Sequence, residues 1–282
     1  MDINIDRIGG CINDAYDGRP LPAAIEISIN GACNRRCKFC PRVDVVKYKN
    51  ILQPLDFDVY KRVIDSLEKH NFTGILQFAG FCEPLLTRNL VDYFAYVPQS
   101  MTINLVSNLD IIPDFDALHE AGLDNLMVSV YDGDDRYKEL ERLIPSKYLN
   151  STVFLRKRYS VDNWENLSNR AGSVDYEDLG LERETLPLSQ PCFFPFYKMF
   201  IDYNGDVLIC SHDWDKRMIV GNAHSEDIYD IWWNDKFMNV RKNLMESKRN
   251  FAPCIECNVN GTLNGSQFFD TWKRLLLSET VR

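Results

Sequence analysis

Short apolar runs alternate along the first half of the chain with longer segments in which apolar residues recur every three or four positions. The apolar runs predict buried strands, and the longer segments predict amphipathic helices. Such alternation is typical of βαβ units, whose parallel strands are joined by right-handed crossovers. The sequence therefore predicts an α/β fold with a partial (β/α) barrel of about five to six parallel strands. The predicted strands are residues 25–29, 75–78, 101–106, 126–130 and 152–155, and the predicted helices are residues 57–69, 89–97, 115–121 and 136–143.

The pattern changes in the second half of the chain. Residues 159–190 are polar and weakly periodic, which predicts a connecting segment. Residues 197–202 and 207–210 flank an Asn204-Gly205 pair, a strong signal for a hairpin turn. We therefore expect a partial barrel in residues 1–170, and in residues 171–282 a linker and a small C-terminal domain made of a β-hairpin plus helices. The helices predicted there are residues 225–233, 235–247 and 267–277.

Composition and charge narrow the possible functions. The 282 residues carry a net charge of −9, which argues against a nucleic-acid-binding face because phosphate contacts need clustered Lys and Arg. No run approaches the roughly 18 apolar residues of a membrane span, and the N-terminus lacks the basic and apolar regions of an export signal. We therefore expect a cytoplasmic protein that binds neither nucleic acid nor membrane.

Cysteine is the unusual residue in this composition. Nine cysteines occur in a long chain, and seven of them fall into two groups, which favours metal binding over disulfides. The two left over, Cys11 and Cys82, are expected to be small buried apolar residues.

The first group, Cys33, Cys37 and Cys40, follows directly after the first predicted strand. Three thiolates on one short loop can hold three irons of a cubane cluster and leave the fourth iron open to a small molecule. A structural zinc ion would want four protein ligands, and no histidine lies close in the sequence to complete the set.

The C-x3-C-x2-C spacing, with Phe39 before the last cysteine, resembles the signature of the radical S-adenosylmethionine (SAM) superfamily. The resemblance implies that SAM binds the open iron of a 4Fe-4S cluster and is cleaved to a 5'-deoxyadenosyl radical. Residues 79–86 are similar to the family's Gly-Gly-Glu-Pro segment, which implies that the backbone at Gly80 and the Glu83 carboxylate receive the SAM amino group. Cys82 stands where the family usually has glycine.

Three further residues match SAM contacts by position. Ser107 and Asn108 end the third predicted strand, and Ser129 lies in the fourth. The resemblance implies ribose or carboxylate contacts at these places. The alternative is ordinary strand-end and turn chemistry.

The second cysteine group comes from separate segments of the C-terminal region. Four such thiolates can hold either a cubane or a tetrahedral zinc ion. The layout, with Trp232 and Arg241 between its halves, resembles the SPASM/Twitch extension of radical SAM enzymes, which implies one auxiliary 4Fe-4S cluster. The four residues are Cys192, Cys210, Cys254 and Cys257.

An auxiliary cluster held by four cysteines has no open iron for the substrate, so it should transfer electrons. The resemblance extends to radical SAM dehydrogenases that act on aminocyclitols. We therefore expect oxidation of a secondary alcohol on a sugar- or cyclitol-like small molecule to a ketone. An external donor such as flavodoxin or ferredoxin would reduce the first cluster. The protein's part would be orientation, electron routing and water exclusion.

Other functions remain open at the sequence level. Modification of a ribosomal peptide is common among SPASM/Twitch relatives, and redox-neutral chemistry such as epimerisation needs no electron acceptor. A non-catalytic metal-binding or redox-sensing protein would neither bind SAM nor need Glu83. No general base is predicted.

Several side chains have weaker predictions. We expect His212 to be a solvent-facing turn residue. Five polar residues are candidates for the barrel lumen, and five aromatic residues are expected to form a dry wall around the auxiliary cluster. The lumen candidates are Tyr60, Arg156, Arg158, Arg170 and Tyr197, and the aromatic residues are Phe193, Phe194, Phe196, Tyr197 and Phe200.

Overall fold

The computed structural model of the chain describes residues 19–159, 167–181, 185–259 and 266–279. Its longer elements alternate between strand and helix as far as residue 157. The strands are β1 (Ala24–Ile27), β2 (Asn30–Gly31), β3 (Ile51–Pro54), β4 (Ile75–Phe78), β5 (Thr102–Ser107), β6 (Leu123–Val130), β7 (Val153–Lys157), β8 (Lys198–Ile201), β9 (Asp206–Leu208) and β10 (Ile219–Asn222). The α-helices are α1 (Phe57–Lys69), α2 (Leu90–Ala95), α3 (Phe115–Glu120), α4 (Gly133–Leu143), α5 (Phe194–Tyr197), α6 (Ile228–Trp233), α7 (Asp235–Met245) and α8 (Ser266–Glu279).

One sheet joins the two halves of the chain. Its strand order is β10-β9-β8-β1-β4-β5-β6-β7. From β8 to β7 every neighbouring pair is parallel, whereas β8, β9 and β10 pair antiparallel. The expected number of parallel strands is confirmed, and the sixth of them is the first strand of the C-terminal hairpin. The C-terminal region therefore continues the barrel sheet.

Two helices of the barrel, α1 and α3, begin at an aspartate N-cap. In α1, the Asp56 carboxylate accepts hydrogen bonds from the backbone N–H groups of Asp58 and Val59, which satisfies two otherwise unpaired donors. Asp114 caps α3 in the same way. Apolar residues on one side of α1 are buried against the sheet, as expected for spacings of three and four positions. They are Val59, Tyr60, Val63, Ile64 and Leu67.

The first and last residues of every predicted helix and strand lie within three residues of those observed. Among the strands the largest difference is at β6, which is predicted to begin at residue 126 and begins at Leu123. The pattern did not predict the ribbon formed by β2 and β3, whose pairing is very short and includes a register shift. It also missed β10. Within the described residues, no helix is long and apolar enough to cross a membrane.

Candidate active site

A cavity of about 320 Å³ opens at the carboxyl ends of the parallel strands. This is where ligands bind in open parallel sheets, because the loops that follow the strands meet there. All nine residues of the first predicted site line this one cavity. They are Cys33, Cys37, Phe39, Cys40, Gly80, Glu83, Ser107, Asn108 and Ser129.

The loop that carries the first cysteine group is fixed to the ends of β5 and β6. Arg35 donates through Nε to Asp110 at 2.6 Å and through Nη1 to Asp132 at 3.0 Å. The Asn34 amide donates to Asp110 at 3.0 Å and accepts from the Asn108 amide at 2.8 Å. These contacts hold the loop across the mouth of the barrel. Arg35 was not predicted as a site residue; its place inside the cysteine motif was the only signal.

The three thiols of this loop lie close enough to affect one another. Burial raises the pKa of Cys33 to about 11 and that of Cys37 to about 12, and the neighbouring thiols add to both shifts. The Cys33 sulfur accepts a hydrogen bond from the backbone N–H of Arg35 at 3.4 Å. Such buried thiols stay protonated in a metal-free site, whereas coordination to a metal deprotonates them. Three thiols at the wall of one cavity fit a cubane that leaves one iron open to a ligand.

Arg42 ties this loop to the segment that follows β4. Its guanidinium is buried and donates to the carbonyl oxygens of Phe81 at 2.8 Å and Gly31 at 3.0 Å, and to Asn50 Oδ1 at 2.8 Å. Its charge also opposes the upward pKa shift of Cys33. No motif or spacing in the sequence indicates a role for Arg42.

Gly80 is the one position of the cavity wall where a side chain would not fit. Its φ of +87° is unfavourable for other residues, and a Cβ would lie 2.4 Å from the Phe200 ring and 2.7 Å from Ser28 Oγ. Ser28 Oγ in turn accepts from the Phe81 N–H at 2.7 Å. Phe200 therefore packs against the first site, and its assignment to the wall of the auxiliary cluster is wrong.

Glu83 is held by the end of β5. Its side chain is 3% exposed, and burial raises its pKa against the opposing effect of the hydrogen bonds. Oε1 accepts from Ser107 Oγ at 2.7 Å and from the Leu85 N–H at 3.1 Å, and Oε2 accepts from the Asn108 N–H at 2.8 Å. Each carboxylate oxygen can accept a further donor. Ser107 and Asn108 therefore position Glu83 as well as lining the cavity.

The far wall is formed by the ends of β6 and β7. The Ser129 hydroxyl accepts from Arg156 Nη2 at 2.9 Å. Burial raises the pKa of Tyr131 to about 12, and its ring centroid lies 5.8 Å from that of Phe39. Arg158 also lines the cavity.

The five lumen candidates divide into two sets. Arg156, Arg158 and Arg170 line the cavity, as predicted. Tyr60 does not, because its position on α1 buries it in the core, where its hydroxyl donates to the Tyr93 carbonyl at 3.0 Å. Tyr197 is likewise a buried residue outside the cavity wall.

The four cysteines of the second group meet although they come from distant segments. Burial raises the pKa of Cys210 well above its usual value, and Cys257, Cys254 and Cys192 each raise it further. The Cys257 sulfur accepts from the Val259 N–H at 3.4 Å. In the described part of the chain, no three His, Cys, Asp or Glu side chains are grouped as ligands of a single metal ion. In a cubane cluster each thiolate binds a different iron, so the four sulfur atoms need not converge on one point. The four cysteines are therefore candidate ligands of a cluster.

Three remaining expectations concern single side chains. His212 is half-buried rather than a fully solvent-facing turn residue: its ring centroid lies 5.3 Å from that of Phe194, and burial lowers its pKa well below its usual value. Cys82 is half-buried beside the cavity, and its thiol donates to the Ala79 carbonyl at 3.5 Å. Cys11 lies outside the described residues.

Comparison with known proteins decides the family. Residues 27–163 match the Radical SAM superfamily, and residues 192–258 match SPASM, an iron-sulfur cluster-binding domain. The S-adenosyl-L-methionine-dependent 2-deoxy-scyllo-inosamine dehydrogenase of Niallia circulans is 30% identical over 247 residues, which is 84% of this chain and 93% of that protein. The chain belongs to the radical SAM superfamily. As a radical SAM enzyme it uses SAM and iron-sulfur clusters, so the zinc alternative and the non-catalytic alternative are set aside.

Solved structures share the fold of this radical SAM enzyme. BtrN in complex with AdoMet and 2-DOIA has a TM-score of 0.71 and 27% identity, over 84% of this chain and 93% of that one. BtrN in an open conformation has a TM-score of 0.62 and 26% identity, over 85% and 95%. Streptococcus suis SuiB bound to the precursor peptide SuiA has a TM-score of 0.57 and 15% identity, over 86% and 70%, which shows a common fold alone.

The site geometry predicts that Glu83→Gln weakens SAM binding. The amide would put an N–H group among three donors and remove the charge that strengthens a hydrogen bond to an ammonium group. We expect the Kd for SAM to rise at least about tenfold, a loss of roughly 1.4 kcal/mol, in a calorimetric titration of anaerobically reconstituted protein. Glu141→Gln, at an exposed position on α4, is the matched control. An unchanged Kd at full iron content would exclude the role given to Glu83.

Proposed function

We propose that this radical SAM enzyme oxidises a secondary alcohol of a small cyclitol-like molecule to a ketone, and that the second cysteine group holds the auxiliary 4Fe-4S cluster that accepts an electron. The cavity carries the proposal. Its lining includes the first cysteine group, Ser211, which follows Cys210, and Arg170, whose charge also acts on Cys40. The backbone of Ala171, next to Arg170, lowers the pKa of Cys257. A substrate bound in the cavity would lie between the two cysteine groups.

The chemistry of the bound groups is brief. SAM at the first cluster supplies the 5'-deoxyadenosyl radical that takes the carbinol hydrogen, and the auxiliary cluster takes the remaining electron once the hydroxyl proton has left. The protein must hold the substrate, exclude water, and provide fixed groups for the proton and the electron that leave the substrate. The donors and acceptors of the cavity wall serve the first of these tasks.

The floor of the cavity is polar. Glu26 on β1 is 5% exposed, stands opposite Gln77 on β4 in the parallel register, and makes an ion pair with Lys198 on β8. The Glu26 carboxylate and the Gln77 amide both line the cavity and can bind hydroxyl or amino groups of a polyol, while Lys198 neutralises the carboxylate from outside the wall. This arrangement favours a small polar molecule over the apolar side chains of a peptide.

Arg170 lies on a strained segment between the two cysteine groups. Arg170 and Ala171 have φ values of 49° and 51°, a conformation that is uncommon for side-chain-bearing residues and tends to mark functional sites. The segment is held by Asn169, whose N–H donates to Asn258 at 2.9 Å and whose amide donates to the Glu256 carbonyl at 2.7 Å. We propose that Arg170 orients the hydroxyl groups of the substrate.

The relatives support this class of substrate. The Niallia circulans relative is named as a dehydrogenase of 2-deoxy-scyllo-inosamine, an aminocyclitol, and the BtrN structure contains 2-DOIA beside AdoMet. The similarity to SuiB bound to its peptide is one of fold alone, so it does not indicate a peptide substrate for this chain. We place the reaction in the reducing cytoplasm, with no role for nucleic acid.

The first cluster needs an external electron, and the surface beside it is basic. Arg36, Lys38 and Lys49 are exposed around the first cysteine loop in a chain of net charge −9, and Val46 and Leu52 are 78% and 65% exposed nearby in the sequence. We propose that an acidic one-electron carrier, a flavodoxin or ferredoxin, docks on this surface.

Label transfer tests the oxidation. With 2-deoxy-scyllo-inosamine deuterated at its carbinol carbons, we expect deuterium in 5'-deoxyadenosine and one ketone per SAM cleaved. SAM cleavage without label in 5'-deoxyadenosine would contradict alcohol oxidation, and label transfer without ketone would indicate redox-neutral chemistry.

The same assay tests the electron acceptor. Cys192→Ala should still transfer label but lose ketone formation at least about tenfold, because an incomplete ligand set loses or alters the cluster. Cys11→Ala, which lies outside both cysteine groups, is the control. Full ketone yield from Cys192→Ala would contradict the role of the second group.

Charge reversal tests the docking surface. Lys38→Glu combined with Lys49→Glu should lower turnover driven by reduced flavodoxin about tenfold at low salt, with a smaller effect at high salt, because steering of this kind is screened. Turnover driven by dithionite should not change. Lys242→Glu on α7 is the control, and an equal loss with dithionite would contradict docking at this surface.

A further inference from the structure

Arg249 is a buried cation next to the second cysteine group. It follows α7 and is 2% exposed. Its Nη2 donates to the carbonyl oxygens of Cys257 at 3.2 Å and Val259 at 2.6 Å. Two of the carbonyl groups around the last cysteine are therefore tied to one guanidinium.

The rest of this guanidinium is not satisfied by protein. Nε and Nη1 are buried and have no hydrogen-bond partner among the described residues. In the same ranges no carboxylate forms an ion pair with Arg249. A buried N–H without an acceptor is costly, and a buried unpaired charge more so. The Arg249 side chain also contacts the Cys257 thiol and lowers its pKa, so these two donors point to sulfur at the second cysteine group.

The groups nearest this charge are thiols. Burial raises the pKa values of Cys192, Cys254 and Cys257, and in all three cases the charge of Arg249 opposes the rise. The guanidinium is thus close to three of the four cysteines that would bind the auxiliary cluster. A cluster held by these cysteines would bring sulfur acceptors to this guanidinium.

The first cysteine group offers an instructive contrast. Arg42 is also buried and also close to thiols, but its Nε, Nη1 and Nη2 atoms all donate to protein oxygen atoms. All three nitrogen atoms of Arg42 bind protein oxygen atoms, whereas Nε and Nη1 of Arg249 bind none in the part of the chain that the structure describes.

We propose that Arg249 is a positioning residue of the auxiliary cluster, that its Nε and Nη1 donate to cluster sulfur atoms, and that its charge raises the reduction potential of that cluster. Hydrogen bonds to the sulfurs and net charge are two of the means by which proteins set cluster potentials. One added electron makes the cluster more negative, so a fixed cation stabilises the reduced form. The inference rests on the proposed function, in which this cluster accepts the electron that the substrate radical gives up on becoming a ketone.

An EPR-monitored redox titration of the reconstituted holoenzyme tests the proposal without substrate. In Arg249→Gln we expect the reduced-to-oxidised ratio of the auxiliary cluster, at a fixed solution potential, to fall at least about tenfold, which is about 59 mV for a one-electron couple. The first cluster should keep its potential. Arg274→Gln makes the same charge change at an exposed position on α8 and should shift neither cluster. An Arg249→Gln protein with full iron and an unchanged auxiliary potential would overturn the proposal.

A second variant keeps the test decisive if Arg249→Gln loses its iron. Arg249→Lys retains the charge but not the planar fork of donors. We expect a smaller fall in potential, together with weaker coupling of exchangeable deuterons to the reduced cluster in pulsed EPR after transfer to D2O. Wild-type potential and wild-type deuteron coupling in this variant would refute the role of Nε and Nη1. Because no step uses substrate, failure here leaves alcohol oxidation standing, and failure of the label experiment leaves the Arg249 result interpretable.

Discussion

The parallel pairing of β8 with β1 is the contact on which the relation between the two cysteine groups depends. Residues 24–27 pair on one side with β4 and on the other with residues 198–201. Cys192 lies shortly before β8 and Cys210 shortly after β9. The hairpin therefore fixes two of the four C-terminal thiols relative to the barrel, and the ion pair between Glu26 and Lys198 spans the same strand pair.

Three arginines perform different tasks beside the two cysteine groups of this acidic chain. Arg35 binds the first cysteine loop to the carboxylates at the ends of β5 and β6. Arg42 joins that loop to the segment after β4 through backbone oxygens. Arg249 stands by the second group with two donors unused. A cubane with thiolate ligands is an anionic group in a poorly solvated place, so fixed cations nearby stabilise it.

The periodicity of the sequence was sufficient for the elements, because buried parallel strands and amphipathic helices repeat at different intervals. It predicted α1 at its observed bounds, and the cysteine spacing led to the residues that line the cavity. It could not predict that β8 joins the parallel sheet, since pairing partners far apart in sequence leave no local trace. For the same reason Phe200 was assigned to the wrong site.

The sequence also does not show which polar side chains are buried or which atoms they bind. Tyr60 has a polar hydroxyl, but its place on the inner face of α1 puts it in the core. His212 follows a strand, as an exposed turn residue would, yet packing against Phe194 leaves it half-buried. Arg42 and Arg249 look like surface charges in the sequence. Their roles depend on which oxygen and sulfur atoms surround them after folding.

Iron and sulfide content with EPR, measured on anaerobically reconstituted protein, tests most directly whether the two cysteine groups hold two clusters with different roles. The comparison is between the wild type and the combined Cys33→Ala, Cys37→Ala and Cys40→Ala variant, each with and without SAM. The account predicts about eight irons in the wild type and about four in the variant, with a SAM-perturbed signal in the wild type alone. About four irons and one zinc ion in the wild type would contradict it, because the second group would then be structural.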